Sequence, residues 1–255
     1  MADNQLLPED PRYAAGPGNA LAQQPTWADA AQWHGQNLAD TWAAMQDPSM
    51  WVDAARQYGS AIMFGTIGGP MAKTADLAQL EAARALEAKG VGRDDILSQT
   101  GWFKGPDGNW RFEINDQGMS VNPRTGYGTT LGQAITHPEL FEAYPQLRDI
   151  QVETGGRGGA YYPGQNIMRV GAASQNVPAT FLHETQHAIQ DIEGTEQGGS
   201  AAQMGDRDLY RRLYGEAEAR AVESRMRLDP QSRLDAGPWW SFDVPENQLI
   251  VRRRP

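Results

Sequence analysis

Apolar residues recur at helical spacing over several stretches of the chain and alternate at strand spacing over others. Trp27, Ala31, Gly35, Leu38 and Trp42 mark a first stripe, and residues 50–58 predict a second short helix. Leu77, Leu80, Ala83 and Leu86 form the apolar face of a third, with Thr74 or Asp76 as its cap and Gly90 as its stop. Residues 94–99 add one or two turns closed by Gly101. A hairpin signal follows, in which Trp102-Phe103 and the alternating Trp110-Arg111-Phe112-Glu113-Ile114 flank Gly105-Pro106-Asp107-Gly108. Residues 115–130 read as a polar loop, 130–136 and 138–144 as two short helices, and 150–154 and 166–170 as strands around a glycine cluster at 155–159.

The clearest helix comes next. Asn176 caps it, Pro178 sits in its first turn, and PATFLHETQHAIQDIE runs on to Gly194. A Gly-rich loop then leads to a long helix expected over 206–228, stopped by Pro230, and VPENQLIVR reads as a closing strand. This order predicts an α+β fold. The chain divides into a flexible arm (1–25), a helical and Gly-rich N-terminal region (26–72) and a main domain (73–255).

Composition narrows the function. A formal charge of −10 argues against general nucleic-acid binding, which needs a basic surface. With no cysteine in 255 residues, disulfides, thiolate metal sites and cysteine nucleophiles are excluded. The N-terminus has neither the basic nor the apolar region of a secretory signal. The apolar stretch 57–72 spans 16 residues with four glycines, too short for a membrane span, and reads as a buried or connecting segment.

One motif carries chemistry. His183-Glu184-Thr185-Gln186-His187 is an H-E-x-x-H on a predicted helix, and its i, i+4 spacing sets both imidazoles on one face. Glu184, one residue round, is the candidate acid–base group for a metal-bound water. No histidine follows His187, so the third ligand must be a carboxylate. Glu216 is the candidate, because Leu209 and Leu213 would define the buried stripe of the second helix and place it in phase. Glu218 falls further round, toward solvent, and stays as the competitor. The alternative role for Glu216 is an ion pair with Arg220. Gln190 shares the motif face and is a candidate to orient a ligand. His34 and His137 read as structural or capping residues. Tyr161, Tyr162, Tyr210 and Tyr214 are candidates for an oxyanion-stabilising phenol.

Six segments in order extend the pattern: TADLAQLEAARALEAKG, TGWFKGPDGNWRFEI, LGQAITHPELFEAYPQLRDIQV, FLHETQHAIQDIEG, GEAEARAVESR and DVPENQLIV. With these, residues 72–252 resemble the zincin-like metallopeptidase domains of phage and mobile-element large polyvalent proteins. The resemblance implies a zincin-like core, a small sheet plus the motif helix and a second ligand-bearing helix. It also implies His183 and His187 as zinc ligands, Glu184 as the catalytic group, and a setting in the phage virion or the host cytoplasm.

Two expectations follow. In the first the chain is a zinc peptidase of the gluzincin type, with Zn2+ on His183, His187 and Glu216 and a peptide paired along 166–170 or 160–162. In the second it is a virion or ejection component that docks other phage proteins around a structural or inactive metal site.

Overall fold

The computed structural model describes residues 65–252, apart from 117, 123–124, 126–127, 157, 172–175, 197, 200–203, 227, 229–231 and 234–235. The arm, the two N-terminal helices and His34 lie outside the described residues. The fold is α+β, with short strands in three separate sheets.

The first sheet runs β1 (Gly65–Gly68), β3 (Trp110–Asn115), β2 (Trp102–Lys104), all antiparallel. β2 and β3 are the expected hairpin, with Trp102 opposite Phe112 and Lys104 opposite Trp110. Gly108 sits at φ 82°, where a residue with a Cβ is strained. β1 falls within the stretch read from sequence as a connection. All four of its residues are buried, so it lacks the alternation that marks a half-exposed strand.

Helices α1 (Leu77–Ala88) and α2 (Arg93–Thr100) form as expected. The Asp76 side chain accepts from the Gln79 backbone N–H, and Gly101 ends α2 in the left-handed region at φ 74°. Leu80, Ala83 and Ile96 enter the core, whereas Leu77 stays exposed.

The helix expected over 130–136 is a single turn, α3 (Leu131–Ala134), after which Ile135–Thr136 becomes strand β6 and pairs with β4 (Ser120–Val121). Two consecutive β-branched residues favour that change. Pro138 opens α4 (Pro138–Ala143), and His137 caps it, Nδ1 accepting from Leu140 N–H at 3.2 Å. His137 is buried rather than on the surface, with Nε2 2.6 Å from Asp116 Oδ1.

The third sheet has the order β5 (Thr129–Thr130), β7 (Gln151–Thr154), β9 (Ile167–Val170), β8 (Gly159–Tyr162). β7 and β9 are parallel, and β8 turns back antiparallel to β9 as the edge strand. Residues 166–170 therefore lie inside the sheet, and of the two segments expected to pair with a peptide it is 159–162 that lies at an edge, beside the motif helix.

That helix is α5 (Val177–Glu193). Asn176 accepts from Ala179 N–H, and Gly194 closes it at φ 68°. The single helix expected over 206–228 is broken into α6 (Arg207–Arg212) and α7 (Tyr214–Arg225). Leu213 adopts ψ 127° and bridges in parallel to Ile250. Tyr214 N–H donates to the Ile250 carbonyl at 3.0 Å, and Ile250 N–H donates to Arg212 O at 2.7 Å. A contact 37 residues away in sequence interrupts the helical ladder, which local periodicity cannot register. The closing strand reduces to that bridge and a 3-10 turn at Glu246–Gln248.

One core cluster joins Trp102, Phe112, Leu140, Phe141, Phe181 and Ile189, and a second joins Ile67, Phe103, Leu182, Val222 and Trp239. Among the described residues, no helix is long and apolar enough to cross a membrane.

A buried ion pair ties α7 to the first sheet. Arg225 Nε and Nη2 donate to the two Glu113 oxygens at 2.6 and 2.8 Å, and Arg225 also reaches the Ala236 carbonyl at 2.8 Å. Removing one member of such a pair strands the other charge away from water. Arg225→Met is expected to lower the unfolding free energy by about 3–5 kcal/mol, read by urea denaturation. Glu113→Gln removes the negative charge and turns one of the two acceptors into a donor facing the guanidinium, so it is expected to destabilise the fold as well.

Candidate metal centre

α5 and α7 pack side by side, and the site lies where the solvent end of their contact opens into a cavity. The 3.6-residue period puts His183 and His187 one turn apart, with Nε2 atoms 3.1 Å from each other. Glu216, in the first turn of α7, completes the group. One Glu216 oxygen is 3.6 Å from His183 Nε2, and the other is 3.5 Å from His187 Nε2. One donor atom from each residue lies within 4.8 Å of the others.

These residues fit a zinc ion on three observations. Two imidazole nitrogens and a carboxylate are a catalytic-zinc donor set. Ligands about 2.0–2.1 Å from a tetrahedral ion stand about 3.3 Å apart, close to the spacings found here. Glu216 Oε2 is buried without a hydrogen-bond partner, while Oε1 accepts from Gly199 N–H at 2.8 Å.

The surroundings are specific. His187 Nδ1 is 2.9 Å from Gln190 Oε1, and His183 Nδ1 is 3.1 Å from Glu223 Oε1. Glu184 is buried beside them, 3% exposed, at the cavity wall. Burial raises its pKa, against the pull of His183 and His187. Burial also disfavours charge on His183, yet Glu216 and Glu223 outweigh it and raise its pKa to about 10. For Glu216 burial opposes the anion, but the neighbouring His183, His187 and Tyr210 hold the carboxyl well below its usual range.

The cavity holds about 760 Å³. Its wall includes Tyr161 and Tyr162 from β8, Arg207 and Tyr210 from α6, and the groups just named. Two glycines let main chain approach the site. A Cβ on Gly159 would sit 2.3 Å from Glu184 Oε1, and one on Gly198 would sit 2.1 Å from Glu216 Oε1 and 2.5 Å from His187 Cε1.

The structure thus brings together His183, Glu184, His187, Glu216, Gln190 and Tyr210. Four readings need correction. Glu218 does not face solvent: it is 1% exposed and bound by Arg111, Tyr214, Gln186 and Gln190. Leu209 is exposed and belongs to a different helix from Glu216, so the stripe used to phase Glu216 is not continuous. Arg220 pairs with Asp243, at 2.8 Å, and not with Glu216. Tyr214 is buried against Glu218 and Arg111, away from the cavity. Glu223 was missed, although it lies seven residues after Glu216, on the same helical face.

Residues 65–122, less than half of the chain, match the family model of large polyvalent protein associated domain 23. This similarity supports an association with polyvalent proteins; the matched segment contains β1, the β2–β3 hairpin and β4 but none of the metal-centre residues. No curated protein and no solved structure matches the chain.

The glycine contacts give a test. Gly198→Ala is expected to displace Glu216 and weaken zinc binding by about 10–100-fold, the range typical of changes around a ligand. Gly164→Ala, with no atom in reach of the added methyl, should leave binding unchanged in the same chelator competition.

Proposed function

We propose that the chain is a zinc-dependent peptidase of the gluzincin type, with a zincin-like core and a setting among phage polyvalent proteins, in the virion or the host cytoplasm. The observation that supports this most is the convergence of His183, His187 and Glu216 beside buried Glu184 in the wall of an open cavity. His183, His187 and Glu216 would hold the ion. Zinc bound there would supply Lewis-acid polarisation of a carbonyl and a water of lowered pKa.

The remaining work falls to the chain itself. Glu184 takes the water proton as the water oxygen bonds to the scissile carbonyl carbon. It returns a proton to the amine as the C–N bond breaks. Of the three tyrosines on the cavity wall, Tyr161, Tyr162 and Tyr210, Tyr210 is the one that interacts with Glu216, so the oxyanion role is assigned to it. An extended peptide would pair with the free edge of β8 at Ala160–Tyr162, since 166–170 is covered on both sides.

Purified protein is expected to carry about one zinc per chain, lost in His183→Ala and in His187→Ala. Stoichiometric zinc in either variant would remove the ligand assignment. Glu184→Gln should keep the fold and the zinc while peptide cleavage falls by about 10²–10⁴-fold, read by mass spectrometry on a diverse peptide pool. Equal cleavage by both forms would overturn the peptidase, and zinc without any cleavage would favour a docking protein around a structural metal.

A further inference from the structure

His187 can ligate through Nε2 only if its neutral ring carries the proton on Nδ1. The atoms behind the ring dictate that choice. Nδ1 lies 2.9 Å from the side-chain amide of Gln190, at Oε1. The other end of that amide, Nε2, lies 2.9 Å from the Gly215 carbonyl oxygen and 2.8 Å from Glu218 Oε2. Carbonyl and carboxylate oxygens only accept, so the amide nitrogen must face them. The amide oxygen is thereby turned to His187, and an amide oxygen also only accepts. The imidazole proton belongs on Nδ1, which leaves the Nε2 lone pair toward His183 and Glu216.

Glu218 is held in turn. Arg111 Nε meets its Oε1, Tyr214 O–H donates to Oε1 at 2.8 Å, and Gln186 Nε2 is 3.3 Å from Oε2. Arg111 is fixed from behind by Asp107, at 2.7 and 2.8 Å. Gln190, Glu218 and Arg111 are 1%, 1% and 2% exposed, so solvent does not compete for these bonds. The other histidine differs: the group at its Nδ1, Glu223, is a carboxylate with 37% of its side chain exposed.

We propose that Gln190, Glu218 and Arg111 are positioning residues that lock His187 in its Nδ1-protonated tautomer, with strand β3 of the first sheet as the far anchor of the relay. The proposal rests on the metal-site reading above. It gives the segment matched by the polyvalent family model a part in the site, although that segment supplies no ligand.

Two measurements on the full chain test it. In metal-free wild type at alkaline pH, nitrogen-15 NMR of labelled histidine should show His187 protonated at Nδ1; the opposite tautomer overturns the relay. Gln190→Met removes the acceptor at nearly constant volume and should weaken zinc binding by about 10–100-fold in chelator competition. Zinc held as tightly as in wild type overturns the relay while leaving the metal site standing. Nδ1 protonation in a wild type that takes up no zinc supports the relay and removes the metal-site reading.

Discussion

Taking a carboxylate out of water costs several kcal/mol unless donors replace the solvent, and Glu218 is where this chain meets that condition most completely. Its donors come from separate parts of the sequence: Arg111 from the β2–β3 hairpin, Gln186 and Gln190 from α5, and Tyr214 from its own helix. Arg111, Gln186 and Gln190 can reach Glu218 only when the first sheet, α5 and α7 are in their final places. Gln186 adds a second constraint, because its amide also accepts from Ile67 N–H at 2.9 Å and donates to Ile67 O at 3.0 Å. The side chain stands in for a strand partner of β1, and it sets the rotation of α5 against the sheet. The face that α5 turns to the cavity, His183 and His187 included, follows from that rotation.

Backbone proximity shapes the other side of the site. Gly159 begins the edge strand against Glu184, and Gly198 lies against Glu216 and His187. Neither position requires a positive φ; what it requires is the missing side chain. The Glu184 and Glu216 carboxylates are each packed on main chain, which limits the rotamers open to them.

Much of this was legible in the sequence, for identifiable reasons. α5 announces itself by its Asn176 cap, its periodic apolar face and its Gly194 stop, and the His183–His187 spacing then needs no tertiary information. The hairpin and α1 are equally local. What was not legible depends on distant partners. The break at Leu213 is made by Ile250, strand β1 exists because β3 pairs with it, and the edge position of β8 follows from sheet order. Glu218 was misplaced for the same reason: helical phase gives an angle, but only Arg111, 107 residues earlier, makes that direction an interior. Glu216 was selected with a stripe that the structure interrupts, so its place in the site rests on the observed geometry instead.

The bridge between Leu213 and Ile250 has a consequence for how the chain comes into being. A polypeptide is made from its N-terminus, and domains fold as their contacts become available. The histidines of α5 leave the ribosome well before Ile250, yet the bend that separates α6 from α7 has Ile250 as its hydrogen-bonding partner on both sides of Leu213. Until then, the pattern of residues 206–228 favours one continuous helix, which would carry Tyr210 and Arg207 along a different line from the one they follow in the cavity wall. The cavity wall therefore depends on Ile250, well downstream of the motif, and not on the segment that bears the motif alone.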